Sequence, residues 1–305
     1  MVDAIPTLLQ QILVMFVLMA LGFALTRAHL VDDHGSEQIS NVVIYAGFPA
    51  TIVRSFVTPF DAEMLSHAIY TVTIVLILTA IAVVVARLTM GTANPVAEYG
   101  IVFSNSGYLG IPLVSSVLGD KYVFCLSVAN AALNLLIWTY GVWIMSHDKS
   151  QIALKKFLLN PTTLSVFAGL ALFFTSATPP EFVMTVLEDV ANITTCLTMV
   201  VLGCYVASFG IRRVFVQRRL YKTVFVRLVV MPLITIAALL LWRTDDPAVA
   251  LTVLILMSTP CASLTAMFAQ KFGRDLEQGT GLVALSTTLS LVSMPVIISL
   301  GALLL

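Results

Sequence analysis

Apolar residues along this chain come in long, nearly unbroken blocks separated by short polar connections. They neither alternate as in a half-buried strand nor keep to one helical face as in a soluble helix. A bilayer crossing needs about 20 consecutive, mostly apolar residues. Ten blocks meet that requirement: 7–28, 36–57, 67–89, 95–119, 122–146, 161–177, 188–210, 220–242, 247–272 and 277–304. The pattern predicts an all-α membrane protein with ten transmembrane helices. The second block is the least apolar, carrying Asn41, Tyr45, Gly47 and Pro49.

Two blocks are broken in the middle, at matching places in the two halves of the chain. The stretch 96–118 is interrupted at Ser104-Asn105-Ser106-Gly107 and at Gly110-Ile111-Pro112; the stretch 248–272 is interrupted at Ser258-Thr259-Pro260. Proline lacks the backbone donor and clashes with the preceding turn, so Pro112 and Pro260 are expected to make the breaks. Unpaired backbone in hydrocarbon costs several kcal/mol, so non-helical backbone at that depth must be buried in protein or line a water-filled cavity. Paired broken helices mark the binding site of a secondary carrier.

Composition agrees. Hydrophobic residues make up 59% and charged residues 10%, against about 25% charged in a soluble domain; the mean hydropathy is +1.00. Lipid is therefore the main solvent, and the bilayer is the first partner. A net charge of zero supplies no basic face, which argues against nucleic acid. The first apolar run has no basic residues ahead of it and ends in Thr26-Arg27, so it reads as a span rather than a cleaved signal. Cys125, Cys196, Cys204 and Cys261 lie within apolar runs and are expected as small unpaired core residues. No metal-ligand spacing, nucleophile–base pattern or cofactor motif occurs, so neither an enzyme nor a metal site is expected.

Lys and Arg fix an orientation. With the N-terminus outside, the cytoplasmic connections carry Arg27, Arg87, Lys149, Lys155, Lys156, Arg212, Arg213, Arg218, Arg219, Lys222, Lys271 and Arg274, while the opposite side carries Arg54, Lys121 and Arg243. The positive-inside bias puts both termini outside. Arg227 lies within a span, near its cytoplasmic end, and no Asp or Glu lies in mid-span. The chain divides into a first five-helix repeat at 1–147, a cytoplasmic linker at 148–160 and a second repeat at 161–305. Five spans being odd, the second repeat enters the membrane inverted.

The phrase Phe103-Ser104-Asn105-Ser106-Gly107-Tyr108-Leu109-Gly110-Ile111-Pro112-Leu113 resembles the fourth-helix signature of the auxin efflux carrier family, which includes plant auxin carriers and bacterial malate or malonate permeases. Asn134-Leu135-Leu136-Ile137-Trp138, Asn160-Pro161, Leu202-Gly203, Met231-Pro232, Pro260-Cys261-Ala262-Ser263 and Leu285-Ser286-Thr287 agree in order. The resemblance implies two inverted five-helix repeats with broken helices 4 and 9 crossing. It also implies a scaffold of helices 1, 2, 6 and 7 and a transport domain of helices 3–5 and 8–10 that moves elevator-fashion. It implies a small organic anion such as a carboxylate as substrate, the cytoplasmic membrane as location, and a homodimer through the scaffold. The short central connection and the residues after Pro260 depart from the plant carriers, so auxin does not follow. A sodium-coupled symporter of the bile-acid type, with sodium on backbone carbonyls and hydroxyls, and an anion channel are the alternatives.

Candidate substrate-binding residues are Asn105, Ser106, Pro112, Asn130, Asn134, Ser258, Thr259, Pro260 and Ser263. Asn105 either donates to a carboxylate or caps a broken helix end. Ser106 reads more readily as a backbone cap. Asn130 and Asn134 lie one turn apart and either face the site or join helices. The hydroxyls of Ser258, Thr259 and Ser263 contact substrate or satisfy freed carbonyls. Half-helix N-termini favour anions without a basic side chain. Arg54 either snorkels to the interface or draws anions to the outer mouth.

Overall fold

The computed structural model describes residues 4–148, 150, 152, 154–208 and 215–305. Lys149, Arg212 and Arg213 of the basic set, and part of the 148–160 connection, lie outside the described residues. The described part of each apolar block is helical apart from the two breaks, and polar residues extend many of the terminal turns. We label α1 (Ala4–Arg27), α2 (Asp33–Phe56), α3 (Ala62–Met90), α4 (Pro95–Val102), α5 (Ser106–Val117), α6 (Asp120–Ser146), α7 (Leu154–Leu158), α8 (Pro161–Thr175) and α9 (Glu181–Ser208). They are followed by α10 (Arg218–Leu241), α11 (Pro247–Ser258), α12 (Leu264–Lys271) and α13 (Leu276–Leu304). Among the described residues, six helices are long and apolar enough by themselves to cross a membrane: α2, α3, α6, α9, α10 and α13. Many large apolar side chains point outward, among them Leu13, Val17, Ile69, Leu88, Val292 and Val296, as a lipid-facing surface requires.

Helix starts follow local chemistry rather than the apolar blocks. Asp61 caps α3 six residues before the block at 67–89, its carboxylate accepting from the Glu63 N–H at 2.9 Å. Asp246 caps α11 and Asp275 caps α13 in the same way, each satisfying an orphan donor and complementing the helix dipole.

Three of the prolines inside the helices are absorbed by π turns, while Pro295 sits within regular α13. Such turns cover Val43–Gly47, Ser106–Gly110 and Val226–Val230, and Pro49, Pro112 and Pro232 each follow two residues later. The N–H of the residue before each proline reaches back five residues: Phe48 to Val43, Ile111 to Ser106, Met231 to Val226. The wider turn removes both the unmet bond and the ring clash. This corrects the expectation for Pro112: the helix runs on through it, and the real interruption of the fourth block is Phe103–Asn105.

Two sets of helices share extensive contacts, and α2 and α8 of the first also pack on α6 of the second. In one, α1 lies along α9 and α2 along α8. The α1–α9 contact depends on Gly22 and Gly203: a Cβ at Gly203 would sit 1.9 Å from the Met19 carbonyl oxygen, and one at Gly22 would sit 2.0 Å from that of Val200. In the other group α3 packs on α4 and α6, α10 on α11 and α13, α5 on α6, and α12 on α13. Cys125, Cys204 and Cys261 are buried and unpaired; Cys196 is unpaired but exposed rather than a core residue.

Candidate functional site

The two breaks meet. The extended residues Ser104 and Cys261 form an isolated antiparallel bridge, in which the Asn105 N–H donates to the Pro260 carbonyl at 2.9 Å and the Ala262 N–H to the Phe103 carbonyl at 3.1 Å. The unwound segments thus satisfy each other's main chain, as burial in a membrane demands. Four helix ends converge there: the C-termini of α4 and α11 and the N-termini of α5 and α12.

Side chains gather around this crossing. The Asn105 amide donates to the Ser263 hydroxyl at 3.3 Å, and the Ser106 hydroxyl donates to the Asn130 carboxamide oxygen at 2.7 Å. Asn105 makes no side-chain cap, and Ser106 is no backbone cap either: its bond goes to α6. Asn105, Ser106 and Asn130 are buried, while Ser263 is exposed. The cluster therefore opens on one side, through Ser263 at the head of α12. The Thr259 hydroxyl donates to the Leu256 carbonyl at 2.9 Å, satisfying a freed carbonyl of the helix end. Ser258 is buried and its hydroxyl has no partner.

Two candidates lie away from the crossing. Pro112 sits in the first regular turn of α5. The Asn134 amide is 3.5 Å from the Thr162 hydroxyl at the start of α8, at the outer limit of a hydrogen bond, so it joins helices of the two groups. Asn130 and Asn134 share a helix face but have separate surroundings.

Sequence reasoning passed over Arg227. It is 0% exposed. Its Nε, Nη1 and Nη2 donate to the carbonyls of Thr259 (3.0 Å), Ile101 (2.9 Å) and Met257 (3.0 Å). It belongs to the crossing, not to the membrane surface. The available signal was the cost of a cation flanked by Val226 and Leu228-Val229-Val230.

Polar links between the two groups are few. Arg54 does not snorkel: it donates to Asp120 of α6 at 2.7 Å and to Asn192 of α9 at 3.2 Å, on the wall of an open polar cavity of about 600 Å³ that Thr58, Asp61, Lys121 and Glu188 also line. The Tyr108 and Ser40 hydroxyls are bonded, with the Tyr108 ring edge-on to Phe48 at 5.3 Å. Elsewhere the groups meet across an apolar seam with a cavity of about 30 Å³ lined by Met15, Met19, Leu109, Met199 and Met294. Glu98 is buried in α4, where Arg87 (3.0 Å) and Tyr140 (2.5 Å) both donate to it.

Among the described residues no group of three or more His, Cys, Asp or Glu could hold a metal ion. The chain is 24% identical over 300 residues to a protein of Rhizobium meliloti (strain 1021) named "Putative malonate transporter", with 92% of each chain covered. A family model described as membrane transport protein matches residues 7–298. A crossing of broken helices inside a lipid-facing bundle, carried by a chain that fits this model almost from end to end, makes the protein a member of the auxin efflux carrier-like membrane transport protein family, a multi-pass transporter rather than an enzyme.

Proposed function

We propose that this protein carries a small carboxylate across the cytoplasmic membrane by elevator-type alternating access, with the helix crossing as the substrate site and both termini outside. The observation that carries the reading is the crossing itself. Two helix N-termini, α5 and α12, start at one point beside uncharged donors on Asn105 and Ser263. This is the arrangement by which carriers hold anionic groups.

The contact pattern supports an inverted repeat. Pairs in the first half recur in the second: α1–α9 with α8–α2, α3–α6 with α10–α13, α11–α3 with α4–α10. The antiparallel bridge at the centre has the local two-fold symmetry such a repeat requires. A scaffold of α1, α2, α8 and α9 against a moving unit of α3–α6 and α10–α13 is supported by the seam between them. That seam is apolar and rich in methionine, whose flexible side chains repack readily. A carboxylate such as malonate is supported by the Rhizobium relative's name.

Uptake of labelled malonate and malate into proteoliposomes, with and without sodium and pH gradients, tests the proposal, with Asn105→Ala beside the wild type. Loss of a hydrogen bond to a charged group, worth about 1.5–3 kcal/mol, is expected to raise KM about tenfold to a hundredfold. No saturable uptake of any carboxylate by the wild type, with an active control carrier, would sink the reading. Unchanged KM in Asn105→Ala would move the site away from the crossing.

A further inference from the structure

We infer that Arg227 sets the sign of the charge this transporter accepts; the inference rests on the crossing being the substrate site. Broken helices alone make only a weak anion site. Each helix end carries about half an elementary charge, positive at the N-terminus and negative at the C-terminus. Four ends meet at the crossing, two of each kind, so their sum is about zero. The negative ends offset part of the attraction that the positive ends offer a carboxylate.

Arg227 breaks that balance. Its guanidinium bonds Ile101 in the last turn of α4, Met257 in the last turn of α11 and Thr259 just beyond it. It therefore caps both C-termini at once, and its full positive charge offsets their two half-charges. The N-termini of α5 and α12 remain unopposed, leaving about one net positive charge facing Asn105 and Ser263. No carboxylate among the described residues pairs with Arg227, for the ion pairs there join other side chains. A planar fork of five donors suits several carbonyls at once, and an ammonium does not. Arg227 thus acts through the helix ends as a positioning and charge-setting residue without touching substrate.

The test compares KM for malonate, a dianion at neutral pH, with KM for its monoamide, a monoanion. Four proteins are compared in proteoliposomes: wild type, Arg227→Gln, Arg227→Lys and Ser258→Asp. The last keeps every Arg227 donor and puts a carboxylate at a buried position between Met257 and Thr259. The wild type should prefer the dianion. Arg227→Gln and Ser258→Asp should lose that preference, with KM for malonate rising tenfold or more and KM for the monoamide rising less. Arg227→Lys should keep the preference at lower folded yield. If Arg227→Gln does not fold, Ser258→Asp decides. A Ser258→Asp protein with the wild-type KM ratio overturns the inference, as does an Arg227→Lys protein that loses the ratio as fully as Arg227→Gln. Absence of saturable uptake by the wild type would instead overturn the substrate-site reading on which the inference rests.

Discussion

Among the described residues, the pair Arg54–Asp120 is the one ion pair across the two helix groups, and its energy can be worked from its surroundings. The N–O distance is 2.7 Å, with the Arg54 side chain 16% exposed and that of Asp120 42% exposed. Asp120 is held further by the Ser115 hydroxyl at 3.2 Å, and Arg54 by Asn192, so part of the ordering entropy is already spent. A hydrogen bond between charged groups contributes about 1.5–3 kcal/mol, and a fully exposed pair about 0.2–1 kcal/mol. With Asp120 more than a third exposed, solvent screening brings the coupling to about 1 kcal/mol. If α2 stays still while α6 moves, the pair exists in one end state only, and its loss shifts the balance of states about fivefold. Arg54→Met, Asp120→Asn and the double variant form a cycle, read by thermal unfolding in detergent and by maximal uptake rate. The double variant should be less destabilised than the sum of the singles by about 1 kcal/mol. All three should change the uptake rate in the same sense. Additive destabilisation, or rate changes of opposite sense in the two singles, would refute this reasoning about the pair.

Gly203→Ala should lower the melting temperature by several degrees. Its Cβ would lie 1.9 Å from a backbone oxygen, where ordinary contact begins at 3.4 Å, so α1 must retreat, and overpacking of this kind costs about 1–3 kcal/mol. That exceeds the helix-propensity gain of up to about 1 kcal/mol, and an unchanged or raised melting temperature would show the helices are not so close. Tyr108→Phe keeps the ring against Phe48 and loses only the bond to Ser40, worth about 1 kcal/mol. It should change the maximal uptake rate and leave KM alone; a changed KM with an unchanged rate would place Tyr108 against the substrate.

Membrane crossing, the helical class and the transport role are legible in sequence because the bilayer imposes them locally. Most residues in a span must be apolar or have a partner, so block length and composition report membrane crossing directly. The two breaks are legible for the same reason, since exposed backbone in lipid is too costly to occur without use. The caps at Asp61, Asp246 and Asp275 obey equally local rules.

Tertiary structure decided the rest. Proline as a breaker is a one-dimensional rule; whether Pro112 breaks its helix depends on the backbone before it, and a π turn absorbs it, leaving the interruption at Phe103–Asn105. Asn130 and Asn134 are equivalent by spacing, yet one meets Ser106 at the crossing and the other approaches Thr162 on α8. Arg227 counts in sequence as one more basic residue near a span end. Only the approach of α4, α10 and α11 brings three carbonyls, from residues 101, 257 and 259, to its guanidinium. Solubility in lipid is a sum over single residues, which a sequence contains. A site is a meeting of groups more than a hundred residues apart, set by which faces pack together, and that only the folded chain contains.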